Sequence, residues 1–298
     1  MTEITLLDGS IGQEMVKRAD EPPSPLWSTK VMMDHPKLVG EVHLDYFEAG
    51  ATVATTNTYC VLPDRLAPEG MEDQVGALTR AAVMAARRAR AAHGAGRVAG
   101  ANGPLVASYR PDLCPEPEVA AASYAEPVRL MRDDVDLFLI ETVASVRHAE
   151  GALRAACGQG RPVWLSITVD DEDGARLRSG EGVGEIAPLL ERFEVAAVLV
   201  NCSRPEAIDT ALEVVRGFGI PFGAYANGFT RISEGFLESR PTVDALEARR
   251  DLDPQAYARF AMGWVGMGAT IVGGCCEVGP AHIAEIARQL RDAGHSIV

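Results

Sequence analysis

Short runs of apolar residues, nearly uninterrupted by polar ones, recur eight times along the chain of 298 residues. Such runs predict strands that are covered on both faces, as in a parallel sheet with helices outside. The predicted strands are Ile4–Leu7, Ala51–Thr55, Val98–Ala101, Leu137–Ile140, Val163–Val169, Ala196–Val200, Phe222–Ala226 and Thr270–Val272.

Segments of helical composition separate these strands. They are Lys37–Ala49, Glu72–His93, Val119–Arg132, Ser145–Cys157, Gly184–Phe193, Pro205–Gly217, Pro254–Gly266 and Pro280–Ala293. Ser145 is placed to cap the helix after the fourth strand. Pro205, Pro254 and Pro280 suit first-turn positions, because the N–H that proline lacks has no helical partner there. Pro127 is predicted to divide or restart the third helix.

The alternation of strand and helix places the chain in the α/β class. An open doubly wound sheet is the competing architecture. Eight strand–helix units in 298 residues, with polar residues after the strands, favour a single (β/α)8 TIM barrel that forms one domain over residues 1–298. Glu21–Trp27 and Gly228–Asp251 are predicted as long loops after strands one and seven, where a barrel enzyme builds its substrate site.

Composition and charge exclude several classes of protein. A net charge of -14 and a pI near 4.9 argue against nucleic-acid binding, which requires clustered Lys and Arg. We expect no membrane association, because the chain has no apolar run of about 18 residues. The first residues, MTEITLLDGS, lack the basic start and apolar core of a signal peptide. These features indicate a cytoplasmic protein.

Three of the six cysteines follow predicted strands. Cys202 comes after strand six, and Cys275 and Cys276 come after strand eight, so their sulfurs can approach one centre at the C-terminal face of a barrel. Three thiolates suit Zn²⁺ and leave its fourth position open for substrate. Gly273 and Gly274 would allow an unusual backbone that points both following side chains inward. The alternatives are that the adjacent pair is buried core or a vicinal disulfide. In a cytosolic chain we expect few disulfides.

Other polar residues also follow strands. Asp8 and Gly9 follow strand one, and Glu141 follows strand four. Two carboxylates at one rim offer pairing to a substrate cation. Taken singly, Asp8 is better interpreted as a turn residue before glycine, and Glu141 as a solvated or helix-capping carboxylate; together, at strand ends beside a metal site, they favour substrate binding. The remaining cysteines are interpreted as small apolar filler or loop thiols: Cys60, Cys114 and Cys157.

Five segments together resemble the signature set of the zinc-dependent homocysteine S-methyltransferase family. They are LLDGSIGQE (Leu6–Glu14), ATTNTY (Ala54–Tyr59), LFLIET (Leu137–Thr142), VNC (Val200–Cys202) and GGCCEVGPAHI (Gly273–Ile283). The resemblance runs from Leu6 to Ile283, and it implies a barrel enzyme with small-molecule substrates. That family uses a zinc-activated homocysteine thiolate to accept a methyl group and form methionine.

The resemblance also implies roles for individual residues. Cys202, Cys275 and Cys276 would be the zinc ligands. Asp8 and Glu141 would lie near the α-ammonium of homocysteine, and the backbone N–H of Gly9 near its carboxylate. The polar residues expected to bond the loops or the substrate are Thr56, Asn57, Thr58 and Asn201. The family also tends to carry an asparagine at Asn227.

The identity of the methyl donor is less constrained. A cationic donor is favoured by aromatic faces, for which Trp27, Tyr59 and Tyr109 are candidates. We expect a free, small donor, with S-methylmethionine first, because these 298 residues do not house the folate and cobalamin modules of a one-chain methionine synthase. The alternatives are betaine, or a corrinoid protein that delivers the methyl group. The alternatives from other functional classes are a zinc-dependent hydrolase or lyase, and a thiol-binding or zinc-storage protein without turnover. Sequence leaves the oligomeric state open.

Departures from the family's pattern fall on the donor side. Glu277–Gly279 stands where the family often has Gly-Thr-Thr, and Ala101–Asp112 differs from the commoner Gly-Pro-Tyr-Gly type of segment. The Gly-rich segment Arg178–Gly184 lacks the lysine of a phosphate-binding loop, so it is predicted to be a backbone turn near the substrate.

Overall fold

The computed structural model describes residues 2–20, 24–238, 242 and 245–298. All eight predicted strands are present, with their ends shifted by at most a few residues. The strands are β1 (Glu3–Leu6), β2 (Val53–Thr55), β3 (Arg97–Asn102), β4 (Leu137–Val143), β5 (Val163–Ile167), β6 (Ala197–Asn201), β7 (Phe222–Tyr225), β8 (Ile271–Val272) and a short additional β9 (Ser296–Ile297).

The strands form a ring. From β2 to β8 each strand pairs in parallel with the next, and β8 pairs with β1. A bridge between Leu7 and Val53 joins β1 to β2. Thr52 N–H donates to the Leu6 carbonyl at 2.7 Å, and Asp8 N–H to the Val53 carbonyl at 3.2 Å. These bonds complete the ring and confirm the (β/α)8 barrel, while β9 pairs with β1 at its side.

Helices surround the ring. They are α1 (Ile11–Ala19), α2 (Ser28–Asp34), α3 (Pro36–Glu48), α4 (Pro63–Leu66), α5 (Val75–His93), α6 (Pro117–Met131), α7 (Val146–Ala156), α8 (Ala187–Arg192), α9 (Pro205–Val215), α10 (Pro254–Gly266) and α11 (Pro280–Asp292). The predicted helices correspond to α3 and α5–α11, and the three predicted first-turn prolines begin α9, α10 and α11. Ser145 caps α7 as predicted, accepting from His148 N–H at 3.1 Å.

The prediction that Pro127 divides a helix was wrong. Helix α6 continues through Pro127, which is buried together with Tyr124 and Val128. This helix packs so closely on α7 that a Cβ at Gly151 would lie 2.5 Å from that of Ala120. Burial of the shared apolar face therefore outweighs the lost hydrogen bond, which costs about 3 kcal/mol in an exposed helix.

The barrel positions a site at one end only. Its interior is filled by buried side chains such as Leu139, Trp164 and Leu199, and the larger core lies between sheet and helices. Both predicted loops lie at the C-terminal end of the strands, although residues 21–23, 239–241 and 243–244 of them fall outside the described residues. Within the described part of the chain, helices are too short or too polar to cross a membrane.

Candidate functional site

A cavity of about 430 Å³ opens at the C-terminal end of the barrel. Residues that follow β1, β2, β6 and β8 line it, together with inward residues of β4 and β7. The predicted site residues in the lining are Asp8, Gly9, Thr56, Asn57, Glu141, Cys202, Cys275 and Cys276. The strand ends therefore converge as the parallel ring requires.

Three cysteines meet in this cavity. The Sγ atoms of Cys202, Cys275 and Cys276 lie within 4.8 Å of one another, and among the described residues this is the group that could hold a metal ion. Cys202 and Cys275 are joined as a disulfide, whereas the adjacent pair is not. Cys202 has a left-handed φ of 47°, which Thr168 supports by donating from Oγ1 to the Cys202 carbonyl at 3.2 Å.

The two glycines before the cysteine pair have a different role from the predicted one. Neither has a left-handed backbone. A Cβ at Gly273 would lie 2.5 Å from the Leu7 Cβ, and one at Gly274 would lie 2.1 Å from Val278 Cγ1. Gly273 is therefore needed for close packing of this loop against the end of β1, and Gly274 for close packing of the loop on its own residue Val278. The left-handed residue of the loop is Glu277, with φ 68°.

Glu277, one of the departures from the family's pattern, ties this loop to helix α1. Its carboxylate accepts from Lys17 Nζ at 2.8 Å and also from Gln13 Nε2. Because α1 follows Asp8 and Gly9 directly, the cysteine loop and the loop after β1 are held to each other.

Two buried carboxylates face the cavity. Asp8 accepts from Thr55 N–H at 2.6 Å and from Thr55 Oγ1 at 2.7 Å. Glu141 accepts from Tyr225 Oη at 2.9 Å. Burial raises the pKa of Asp8 well above its ordinary value, and the charge of Glu141 adds to this effect. Burial raises the pKa of Glu141 to about 7. A cation bound between them would favour the charged form of both.

Asn201 shapes the strand that carries Glu141. Strand β4, predicted to end at Ile140, continues to Val143, and its pairing with β5 shifts between these two residues. Thr142 lies in this bulge with φ 58°. The Asn201 amide accepts from Thr142 N–H at 3.0 Å and donates to Thr142 Oγ1 at 3.1 Å. Asn201 therefore fixes the bulge that carries Glu141 and is itself outside the cavity lining.

The polar residues after β2 hold the loops. Thr56 Oγ1 accepts from Ala101 N–H at 3.0 Å, and Thr58 Oγ1 donates to the Ala101 carbonyl at 2.6 Å. Asn57 accepts from Ser28 Oγ at 2.7 Å, which anchors helix α2. Thr56 and Asn57 also line the cavity, so support of the loops and contact with a ligand are compatible.

Gly9 contributes only its backbone to the cavity. A Cβ at this position would lie 2.1 Å from the Val278 carbonyl oxygen. That oxygen already accepts from Ser10 N–H at 2.9 Å and from Tyr46 Oη at 3.0 Å. The absence of a side chain at Gly9 thus lets the loop after β8 close over the loop after β1.

Aromatic side chains form the outer wall. Trp27 and Tyr59 meet edge to face with ring centroids 6.4 Å apart, and Tyr109 meets Phe236 at 6.0 Å. The three aromatic donor candidates all line the cavity. Phe236, by contrast, gave no signal in the sequence, because it lies in a loop without periodicity.

Two further lining residues were not predicted. Tyr225 hydrogen-bonds Glu141, and its signal was a hydroxyl at an inward position of an otherwise apolar strand. Cys60, interpreted as filler, lines the cavity as well.

A model of the family described as homocysteine S-methyltransferase matches residues 5–290. The chain belongs to the homocysteine S-methyltransferase family. It is 30% identical over 302 residues to the homocysteine S-methyltransferase of Escherichia coli, covering 95% of this chain and 94% of that protein. It is 28% identical over 318 residues to homocysteine S-methyltransferase 4 of Zea mays, covering 97% and 90%.

A solved structure of this family has the same fold. The metallated form of the homocysteine methyltransferase MmuM from Escherichia coli superposes with a TM-score of 0.80 at 29% identity, covering 97% of this chain and 96% of that one. The resemblance found in the sequence is thereby confirmed: the protein is a methyltransferase of this family, with a barrel that matches a metal-bearing relative.

Proposed function

We propose that this enzyme transfers a methyl group from S-methylmethionine to homocysteine, with zinc held by Cys202, Cys275 and Cys276. One observation carries the proposal: three cysteine sulfurs converge in a cavity that also contains two buried carboxylates, Asp8 and Glu141. We place this activity in the cytoplasm, where thiols stay reduced, and in the formation of methionine.

The three cysteines fit a zinc ion. Sulfurs at about 2.3 Å from a tetrahedral zinc are about 3.8 Å from each other, and the three Sγ atoms already lie within 4.8 Å of one another. Reduction of the Cys202–Cys275 disulfide frees two of the ligands. Three thiolates favour zinc over harder cations such as magnesium. When bound, zinc supplies the positive charge that keeps a substrate thiol deprotonated at neutral pH.

The chain's own residues would orient the acceptor. Asp8 and Glu141 would pair with the ammonium of homocysteine, and the Gly9 backbone N–H would bind its carboxylate. The homocysteine sulfur then forms a bond to the methyl carbon as the bond from that carbon to the donor's sulfonium breaks. Acceptor and donor both become methionine. The thiol proton is released to solvent when homocysteine binds, so the methyl transfer itself requires no general base.

The charge of the cavity supports a cationic donor. Its lining has five carboxylates and two arginines: Asp8, Asp64, Glu69, Glu141, Glu238, Arg65 and Arg110. S-methylmethionine carries a net positive charge at neutral pH, whereas betaine is neutral overall, so this lining favours the sulfonium. The faces of Trp27 and Tyr59 offer it cation–π contacts.

The test is a comparison of donors. Reduced, zinc-loaded protein is incubated with isotope-labelled homocysteine and, separately, with S-methylmethionine, betaine, dimethylsulfoniopropionate or methylcobalamin. We expect labelled methionine, formed fastest with S-methylmethionine. Faster transfer from another donor would overturn the donor assignment. No labelled methionine from any donor, despite bound zinc, would overturn the proposed activity and favour a thiol-binding protein.

A further inference from the structure

A buried ion pair lies behind the aromatic wall of the cavity. Arg178, on the loop between β5 and α8, pairs with Asp171 at 2.7 Å, and both side chains are only 10% exposed. The Arg178 guanidinium carbon also lies 5.2 Å from the centroid of the Tyr109 ring. Buried pairs contribute little net stability because desolvation offsets their attraction, so this one invites a functional explanation.

The pair connects three loops at the mouth of the barrel. The second carboxylate oxygen of Asp171 accepts from Ile232 N–H at 3.0 Å, on the loop after β7. Phe236 of that same loop packs against the ring of Tyr109, which belongs to the loop after β3. Tyr109 has a left-handed φ of 60°, a strained conformation that neighbouring contacts must hold in place.

Tyr109 belongs to the aromatic outer wall of the cavity, the side proposed above for the methyl donor. It lines the cavity, whereas Arg178 is not among the lining residues. Because the Arg178 cation occupies one face of the ring, that face repels a sulfonium. The rest of the ring remains for the donor.

We propose that the Arg178–Asp171 ion pair is a positioning device that holds Tyr109 as the donor-side wall of the cavity. The proposal rests on the proposed function, because it assumes a small donor that enters beside the cysteines. The residues assigned to homocysteine, Asp8 and Glu141, have no hydrogen bond to this pair. Loss of the pair should therefore raise the KM for the donor and leave that for homocysteine unchanged.

The experiment compares the double variant Arg178→Gln/Asp171→Asn with wild type. It removes both charges together, and the amide oxygen of the introduced asparagine keeps an acceptor for Ile232 N–H. The matched control is Arg176→Gln, which removes the charge of an exposed arginine from the same loop. Zinc content is measured for each protein, and KM is measured separately for S-methylmethionine and homocysteine.

We expect the donor KM to rise about tenfold in the double variant and the homocysteine KM to change less than about twofold. Arg178→Lys keeps the charge without the planar guanidinium, so its donor KM should lie between those of wild type and the double variant. This single variant provides the test if the double variant does not fold. Adding Tyr109→Ala to the double variant should raise the donor KM no further than Tyr109→Ala alone, because Arg178 acts through Tyr109.

Three outcomes would overturn the inference: an unchanged donor KM, an equal rise in both KM values, or additive effects with Tyr109→Ala. If the wild type is active and any of these results is found, only the inference about the ion pair is overturned, and the proposed function is retained. A wild type that transfers no methyl group overturns the proposed function, and this inference with it.

Discussion

At the scale of single residues, the charge state of the site depends on two carboxylates that are buried beside each other. Glu141 and Asp8 each have a raised pKa, and hydrogen bonds partly offset this rise: one from Tyr225 to Glu141 and two from Thr55 to Asp8. The sequence predicted both carboxylates because they follow strands. It did not predict Tyr225, because a tyrosine inside an apolar strand is usually a packing residue.

The raised pKa of Glu141 predicts a pH dependence. In the folded enzyme this carboxyl ionises near pH 7 instead of its ordinary 4.5, so kcat/KM for homocysteine should rise with pH through about 7. Tyr225→Phe removes a hydrogen bond that lowers the pKa and should move this inflection to higher pH. Glu141→Gln, the control, should reduce kcat/KM and remove the inflection.

The same group has a linked effect on stability. Between pH 4.5 and about 7 the Glu141 carboxyl keeps its proton in the folded protein but has lost it in the unfolded chain. The contribution of Glu141 to the free energy of unfolding therefore falls as the pH rises across that window. If the kcat/KM profile of Tyr225→Phe had its inflection at the wild-type pH or at a lower pH, the result would contradict this account of Glu141.

Val106 has a strained backbone conformation whose cost can be tested. It lies on the loop after β3, has φ 61°, and is 44% exposed. A β-branched residue in this conformation is strained. Val106→Gly should therefore raise the free energy of unfolding in urea by about 1 kcal/mol, with a smaller gain for Val106→Ala. A glycine variant less stable than wild type would show that the loop contacts of Val106 outweigh its strain.

At the scale of secondary-structure elements, apolar runs were sufficient to predict every strand of the ring. Helices α1, α2 and α4 were missed because they are extra helices in the connections after β1 and β2, beyond the one helix per strand that the alternating pattern predicts. The bulge at Thr142 was also missed, because it depends on Asn201 from a strand that is distant in sequence. Local sequence thus predicts which segments form elements, while details that depend on partners elsewhere in the chain require the structure.

The cap of α7 gives a prediction at this scale. Ser145 accepts from His148 N–H and is buried, so Ser145→Ala leaves a helix N–H without its partner. We expect the free energy of unfolding to fall by about 1 kcal/mol, measured by urea denaturation. Ser123→Ala is the matched control, because Ser123 is a half-buried serine within α6 whose hydroxyl donates to the Val119 carbonyl, which is not a cap position. This substitution should change the free energy of unfolding by less than about 0.5 kcal/mol. Equal effects of the two substitutions would rule out the capping contribution.

At the scale of the whole molecule, the barrel gathers residues that are far apart in sequence. Asp8, Glu141, Cys202 and Cys275 meet because parallel strands end at the same face, which is why the sequence alone predicted their convergence. The contacts of the Arg178–Asp171 pair across three loops were beyond prediction, since they depend on loop segments outside the regular elements, including the left-handed Tyr109. The extent of the domain, 1–298, stays a prediction.

The central claim is that Cys202, Cys275 and Cys276 hold the metal on which methyl transfer depends. The most direct test is the zinc content of reduced protein, measured together with methionine formation in wild type, Cys276→Ser and the control Cys157→Ser, whose sulfur lies outside the cavity lining. We predict one zinc per chain and full activity in wild type and the control, and loss of both in Cys276→Ser. Wild-type zinc content and turnover in Cys276→Ser would contradict the account.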